Sequence, residues 1–464
     1  MINLTLEKLA SILNHGDSFD PAFSDVEFTG VTTDSRNIIH GSCFVAVKGE
    51  KFDGNDYVFD AFESGAACAV ATADFKSAGK PILTVNDTII SLGDLARWYR
   101  SSLSAKVIAI TGSAGKTTTR EMTYCVLKNY YNCHRSPKSF NNSIGLPLTL
   151  LSAGYDHEVI IVELGTNAPG EIEYLTRIAE PDIAVVLNAL PVHLEGLGSM
   201  ENIIEEKVSI SKGIVGSGTL LINGDSDALV RYCGGMGCNF TTFGTVPGAD
   251  IFASNISLDT GRTVMTVDDT EITIPVPSRA AADNALASWA ICKTIGLNLR
   301  QFADGIKTFE PVSMRMQIET CTDRSGSSIT IINDCYNANP ASMENALEYL
   351  SSVVSAHPGS RAVFVCGTMG ELGAESASLH ESTGKTAARF GVGLILAAGP
   401  FTGDLIAAAK TASEQICVHQ FQNTDQLCNN LHKFIRPDDI ILVKGSRSNK
   451  LEQAVMTLKN LFWQ

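Results

Sequence analysis

Apolar residues in this chain gather in short uninterrupted runs separated by longer amphipathic stretches, a rhythm that predicts strands alternating with helices. In a first block, runs at 43–47, 67–71 and 82–85 predict short strands with turns between them. A second block starts near residue 106. There the run 107–110 leads into a glycine-rich turn and a helical pattern, and further strand-like runs follow at 159–162, 183–187 and 220–223. Strands separated by helices imply a parallel sheet with helices on both faces. Thr- and Val-rich alternation over 249–276 predicts antiparallel strands added to this block, and the Ala-rich stretch 280–295 predicts a helix. A third block alternates regularly. It has strands at 329–333, 362–366, 392–397 and 439–443, with helices at 341–354, 379–389, 402–411 and 450–461. The expected fold is therefore α/β in three domains: a small N-terminal α/β domain (1–85), a central parallel-sheet P-loop domain (86–310) and a C-terminal Rossmann-like, doubly wound domain (311–464).

Composition narrows the classes. A length of 464 residues suits about three domains. A net charge of −15 argues against a general nucleic-acid binder, whose affinity depends on neutralising phosphates with Lys and Arg. An anionic small substrate stays compatible, because a basic pocket can sit on an acidic surface. No apolar run approaches the roughly 20 residues of a membrane span. Residues 1–14 carry Glu7 and Lys8 in an amphipathic pattern unlike a signal peptide, so the chain reads as cytoplasmic. The 12 cysteines are scattered, without Cys-x-x-Cys or ligand spacing with His, and read as reduced, buried small apolar residues rather than disulfides or zinc ligands.

The sharpest chemical signal is Thr111-Gly112-Ser113-Ala114-Gly115-Lys116-Thr117-Thr118, which follows an apolar strand and opens a helix. In that context glycines let the backbone approach phosphates, and main-chain N–H groups at the helix start supply positive potential. Lys116 is expected at the β/γ-phosphates and the Thr117 hydroxyl at Mg²⁺. The spacing is shorter than the usual form, and the plainer reading is a strand–turn–helix with an exposed lysine. A magnesium partner should end a neighbouring buried strand, and Glu163 closes the run 159–162. A carboxylate left unpaired there is costly, and a metal relieves the cost. The competing reading is a carboxylate that has reached solvent. His193 and Lys207 carry no signal of their own.

Taken together, these residues resemble the Mur ligases. The resemblance rests on 111–118, on Glu163-Leu164-Gly165-Thr166-Asn167-Ala168-Pro169-Gly170-Glu171-Ile172 and on His193-Leu194-Glu195-Gly196-Leu197-Gly198-Ser199. It continues through Thr33-Asp34-Ser35-Arg36, the stretches 41–54 and 136–145 (which includes Asn141 and Asn142), Asp334-Cys335-Tyr336-Asn337-Ala338-Asn339-Pro340, Met369-Gly370-Glu371-Leu372-Gly373 and Val443-Lys444-Gly445-Ser446-Arg447. Ordered matches of this kind over the whole chain are specific where each alone is not.

The resemblance implies an ATP-dependent amide ligase. Narrowly, it implies addition of D-alanyl-D-alanine to UDP-N-acetylmuramoyl-tripeptide through an acyl phosphate, in peptidoglycan precursor synthesis, by a monomer. It places ATP on Gly112, Ser113, Ala114, Gly115, Lys116, Thr117 and Thr118, with Asn284 near the adenine, Asp334 on the ribose and Arg315 at the γ-phosphate. Two Mg²⁺ sites are implied on Thr117, Glu163, His193 and a carbamylated Lys207. An ammonium beside two divalent cations is disfavoured, and a neutral amine can add CO₂. Ser35 and Arg36 are implied at the UDP moiety, Asn141 and Asn142 in the substrate loop, and Tyr336, Asn337 and Asn339 in the dipeptide pocket, with Lys444, Ser446 and Arg447 nearby. The plainer reading of 34–36 is a polar turn, and that of Asn337 and Asn339 a capped turn before a helix. Three places depart from the family pattern. Ala280-Ala281 stands for a His-Asn pair at the nucleotide base, Thr368 for an aspartate, and Lys138-Ser139 for Gly-Asn. Two rival functions follow from these departures: a ligase for another carboxylate and amine, or a non-catalytic nucleotide-binding module.

Overall fold

The computed structural model of the protein describes residues 1–14, 18–49, 52–192, 194–259 and 261–462. His193 lies outside the described residues.

The first four-stranded sheet is parallel, in the order Val31–Thr32, Cys43–Val45, Cys68–Thr72 and Ile82–Val85. Strand alternation sorts its side chains. Phe44, Ala69, Ala71 and Ile82 face a small core under helix Val58–Glu63, while Cys43, Val45, Val70, Leu83 and Val85 face the opposite side. That opposite side is covered by helix Thr88–Ser101, whose Leu92, Leu95, Ala96 and Tyr99 join the same core as Val107, Ala109, Ile160 and Val162 of the next sheet. One apolar cluster thus welds the first unit to the second.

The second sheet has nine strands in the order Thr270–Ile274, Arg262–Val267, Ile251–Asp259, Thr241–Gly244, Thr219–Asn223, Ile183–Val186, Lys106–Thr111, Val159–Glu163 and Cys133–Arg135. The run from Ile251–Asp259 to Cys133–Arg135 is parallel, and the last two strands added are antiparallel, as the Thr/Val alternation predicts. Its far face buries Ile108, Ile110, Ile161 and Val185 beneath helices Lys116–Leu127 and Arg279–Ile295. Strand order reverses at Lys106–Thr111. The chain first jumps to the edge strand Cys133–Arg135, fills the gap with Val159–Glu163, then crosses to the other side with Ile183–Val186.

The third sheet runs Gln317–Thr322, Ser328–Asp334, Asp439–Lys444, Arg361–Gly367, Leu394–Ala398 and Cys417–Phe421. Its first strand is antiparallel and the rest parallel. Val363 and Val365 face one core and Phe364 and Cys366 the other, so helices cover both faces. The structure corrects the sequence reading here. The third unit opens with the hairpin of Gln317–Thr322 and Ser328–Asp334 rather than a lone strand, and Cys417–Phe421 is an additional edge. Strand Cys43–Val45 stops two residues short of the expected run, and strand Leu394–Ala398 starts two residues late. Among the described residues no helix is long and apolar enough to cross a membrane.

Candidate active site

Strand Lys106–Thr111 is buried in the middle of the second sheet and ends where the strand order reverses, the crevice in which open α/β sheets take ligands. Its carboxyl end passes into the turn 112–115 and helix Lys116–Leu127. Gly115 caps that helix with φ +86°, and a Cβ there would collide with Asn284 Oδ1. Asn284 Oδ1 also accepts from Thr119 Oγ1 at 3.2 Å. Asn188, at the end of the neighbouring strand, grips the turn from outside. Its Oδ1 accepts from Ala114 N at 2.9 Å and its Nδ2 donates to Ala114 O at 3.2 Å. Ser113 exchanges hydrogen bonds with the Leu190 backbone. Thr118 is half-buried in the first helical turn, where backbone N–H groups have no intrahelical acceptor. Lys116 curls back to donate to Gly112 O at 2.6 Å. Desolvation in the crevice lowers its ammonium to about 8, Glu163 opposing that shift and Arg315 adding to it.

Glu163 ends strand Val159–Glu163 beside the loop and is fully buried. Its Oε2 accepts from Thr117 Oγ1 at 3.2 Å, and Arg315 Nη2 donates to the same Thr117 hydroxyl at 3.2 Å. The expectation that this carboxylate lacks a protein partner is corrected. Arg120, buried one turn after Lys116, brings Nη1 to 2.7 Å from Glu163 Oε1, an ion pair without good hydrogen-bond alignment. The sequence offers one faint signal for Arg120, a cation at an inward position of an amphipathic helix.

Lys207 lies on helix Met200–Val208 and is 1% exposed. Among the described residues no hydrogen bond or ion pair reaches its ammonium. Burial lowers it to about 7, and the nearby charge of Lys116 adds to that. The shift expected from neighbouring metal ions is thus already produced in the same direction by burial and a second lysine. Its neighbour Glu206 fixes the helix in place by accepting from Gly170 N and Ile172 N, each at 2.7 Å, at the start of helix Glu171–Ala179. Asn188 and Glu206 escaped sequence reasoning because their partners lie 74 and 34 to 36 residues away in the chain.

The third unit meets this crevice through Arg315. Its guanidinium lies 4.4 Å from the centre of the Tyr336 ring, and the Tyr336 hydroxyl contacts Ser139 Oγ. Asp334 and Lys444 end paired strands. Lys444 is buried and donates to Asp334 Oδ2 and to Asn337 O (3.1 Å), while Met316 N donates to Asp334 Oδ1 at 3.1 Å. Ser446 Oγ accepts from Gly370 N at 2.7 Å, holding the two motif loops together. Arg447 pairs with Glu452 at 3.1 Å. Asn339 caps helix Pro340–Ser355 in a reciprocal box with Ser342, so its side chain is spent on the turn. Asn337 is exposed.

In the loop 136–145, Asn141 O accepts from Gly165 N at 2.7 Å, two residues past Glu163. Asn142 Oδ1 accepts from Gly145 N at 2.9 Å and starts helix Gly145–Ser152. Ser35 and Arg36 form a turn in the first unit. Arg36 is exposed and donates twice to Asp34, at 2.8 and 3.0 Å, which holds the Asp34 carboxyl well below the usual carboxylate range. At the Ala280-Ala281 departure, Ala281 is buried and its N–H donates to the Ser278 cap at 3.1 Å.

A phosphate loop, an adjoining buried carboxylate and a third unit that brings Arg315 onto the loop define a nucleotide-dependent enzyme. Comparison with known proteins narrows that class. Three family models match in order: Mur ligase family, catalytic domain (27–106), Mur ligase middle domain (110–292) and Mur ligase, glutamate ligase domain (314–447). The chain is 31% identical over 462 residues to the UDP-N-acetylmuramoyl-tripeptide–D-alanyl-D-alanine ligase of Bacillus subtilis, covering 99% of both chains. It is 32% identical over 468 residues to the ligase of that name from Escherichia coli, again covering 99% of both. Among solved structures it resembles MurF from Acinetobacter baumannii (TM-score 0.88, 26% identity, 99% of both chains) and MurF ligase from Thermotoga maritima in complex with ADP (TM-score 0.80, 26% identity, 93% and 97%). The chain belongs to the Mur ligase family and is an ATP-dependent ligase.

Proposed function

We propose that this ligase joins D-alanyl-D-alanine to UDP-N-acetylmuramoyl-tripeptide in peptidoglycan precursor synthesis, splitting ATP to ADP and phosphate. The observation that carries the reading is the meeting of Lys116, Thr117, Glu163 and Arg315 at the carboxyl ends of neighbouring inner strands, in a chain matched end to end by ligases of that specificity. The division into units at 85/86 and 310/311 belongs to the same proposal.

The tripeptide carboxylate attacks the γ-phosphorus of ATP lying along residues 112–118, ADP leaves, and an acyl phosphate forms. Lys116 and Arg315 balance the charge spread over the transferred oxygens. The amine of D-alanyl-D-alanine then attacks the acyl carbon, loses a proton, and expels phosphate. Asn284 and Asp334 are proposed for the nucleoside, and Ser35 and Arg36 for the UDP group. Asn141 and Asn142 are proposed for the tripeptide end. Tyr336, Asn337, Asn339, Ser446 and Arg447 are proposed around the dipeptide, with Lys444 acting through Asp334.

The donor set suits magnesium. The Thr117 hydroxyl and the Glu163 carboxylate are hard oxygen ligands 3.2 Å apart. They would hold one ion and His193 a second, and bound Mg²⁺ supplies further neutralisation of phosphate charge. Lys207, buried and without a hydrogen-bond or ion-pair partner among the described residues, suits carbamylation: its neutral amine adds CO₂, one N–C bond forms, one proton is released, and the product is an anion fit for a metal.

The test supplies ATP, UDP-N-acetylmuramoyl-tripeptide and D-alanyl-D-alanine together, with mass detection of the product. The expected result is amide product and ADP that require both co-substrates. Equal ADP with either one omitted refutes coupled ligation. Product only with another amine from a panel would instead support the alternative of a ligase with changed substrates, motivated by Ala280-Ala281 and Thr368.

A further inference from the structure

Arg120 has no role in the chemistry described so far, yet it is 2% exposed and sits at the centre of a polar cluster. Its guanidinium faces three acceptors at once. Nη1 approaches Glu163 Oε1 at 2.7 Å and donates to Lys138 O, while Nε and Nη2 donate to Glu121 Oε1. Glu121 in turn accepts from Arg135 Nε at 2.9 Å, and the Arg135 guanidinium lies 3.6 Å from the centre of the Tyr124 ring. If Arg120 served only to neutralise Glu163, one contact would suffice. The additional bond to a backbone carbonyl of the substrate loop needs another explanation.

Lys138 has φ +50°, a left-handed conformation that a lysine adopts only when its surroundings impose it. The next residue, Ser139, contacts the Tyr336 hydroxyl of the third unit. Tyr336 stacks on Arg315, Arg315 donates to Thr117, and Thr117 donates to Glu163. These contacts close a ring: Glu163, Arg120, the 138–139 turn, Tyr336, Arg315, Thr117 and back to Glu163. A planar fork with five donors can hold such a junction, and a flexible ammonium holds it less well.

We propose that Arg120 is a positioning residue that fixes Glu163 against the 138–139 turn, so that seating of the third unit through Ser139 and Tyr336 sets the orientation of the carboxylate beside Thr117. This deepens the ligase reading and rests on it.

The probe is Mn²⁺ binding, followed by electron paramagnetic resonance with ADP present and no turnover, alongside kcat and KM for the wild type, Arg120→Met, Arg120→Lys, Ser139→Ala and the double variant Arg120→Lys/Ser139→Ala. Arg120→Met should weaken Mn²⁺ by about 10–100-fold and lower kcat by a similar factor, the range typical of groups that orient metal ligands, with a smaller change in KM for ATP. Arg120→Lys should recover part of both. Arg120→Lys and Ser139→Ala should combine non-additively in the Mn²⁺ titration, because they sit on one ring. A folded Arg120→Met protein with wild-type Mn²⁺ binding overturns the proposal. If Arg120→Met does not fold, additivity of the other two substitutions overturns it. A wild type that binds Mn²⁺ but makes no amide refutes the ligase reading instead, so the two failures are separable.

Discussion

At the scale of single residues, the role proposed for Lys207 sets function against stability. An ammonium that is 1% exposed and has no hydrogen-bond or ion-pair partner among the described residues lowers the stability of the native state, since desolvation outweighs the pull of Glu206 and Glu171. Lys207→Met keeps the length of the side chain and removes the charge. It should raise the melting temperature of metal-free protein in CO₂-free buffer while cutting turnover by at least about a hundredfold, as loss of a site group does. The shorter Lys207→Ala should regain some turnover when a small carboxylate such as acetate is added. Calorimetry and the coupled assay read the two effects; unchanged turnover would remove Lys207 from the site. The residue also marks a limit of sequence reading. Lys116 and Thr117 stand out in the chain because a glycine-rich turn after an apolar run has few other uses. Lys207 stands out only through resemblance, because its burial is made by elements distant in the chain. Glu163 was legible as a buried strand end, but its pairing was not, since Arg120 reaches it from a helix that comes earlier in the chain, with a strand and another helix between.

At the scale of elements, legibility followed burial on two faces. The runs at 107–110, 159–162 and 183–187 become strands buried on both sides, where continuous Val, Ile and Ala are required. Cys133–Arg135, Thr241–Gly244, Gln317–Thr322 and Cys417–Phe421 left little trace in the pattern. They are short or half-exposed and are held by backbone pairing rather than by an apolar signature. Helix Ser376–Arg389 shows what one such element does for a loop. His380 is fully buried; its Nδ1–H donates to Ser376 O at 2.6 Å and its Nε2 accepts from Met369 N at 3.0 Å, tying the 368–372 loop to the helix. The bond accepted at Nε2 needs the neutral ring, and burial lowers its pKa below the usual 6.5. The unfolded chain therefore takes up a proton near pH 6.5 that the native state refuses, so stability is lost as pH falls below that value. Melting curves from pH 7.5 to 5 should show a steeper decline for the wild type than for His380→Gln, whose amide can make both bonds without titrating. Parallel declines would mean that His380 does not contribute to the slope.

At the scale of the whole molecule, contacts between units would decide how the acyl phosphate of the proposed reaction is spent. Sequence patterns gave no view of these contacts, because Ser139 and Tyr336 lie 197 residues apart and each belongs to a polar turn. The third unit reaches the phosphate loop through Arg315 on Thr117 and through Tyr336 on Ser139. An acyl phosphate waiting for an amine is lost if water arrives first, so the fraction of time the units stay together sets the partition between ligation and hydrolysis. Tyr336→Phe keeps the ring under Arg315 and removes only the hydroxyl. One hydrogen bond contributes about 1 kcal/mol, a factor of about 5 in the joined population. Phosphate released per amide formed should then rise above one, and KM for D-alanyl-D-alanine should rise by up to about fivefold. Arg315 still reaches Thr117 in this variant, so the phosphoryl-transfer step should change less than the partition. Simultaneous phosphate and product assays at limiting dipeptide give the ratio directly. A ratio that stays at one with unaltered KM would mean that the Ser139–Tyr336 contact does not hold the units together during turnover, and that exclusion of water depends on other surfaces.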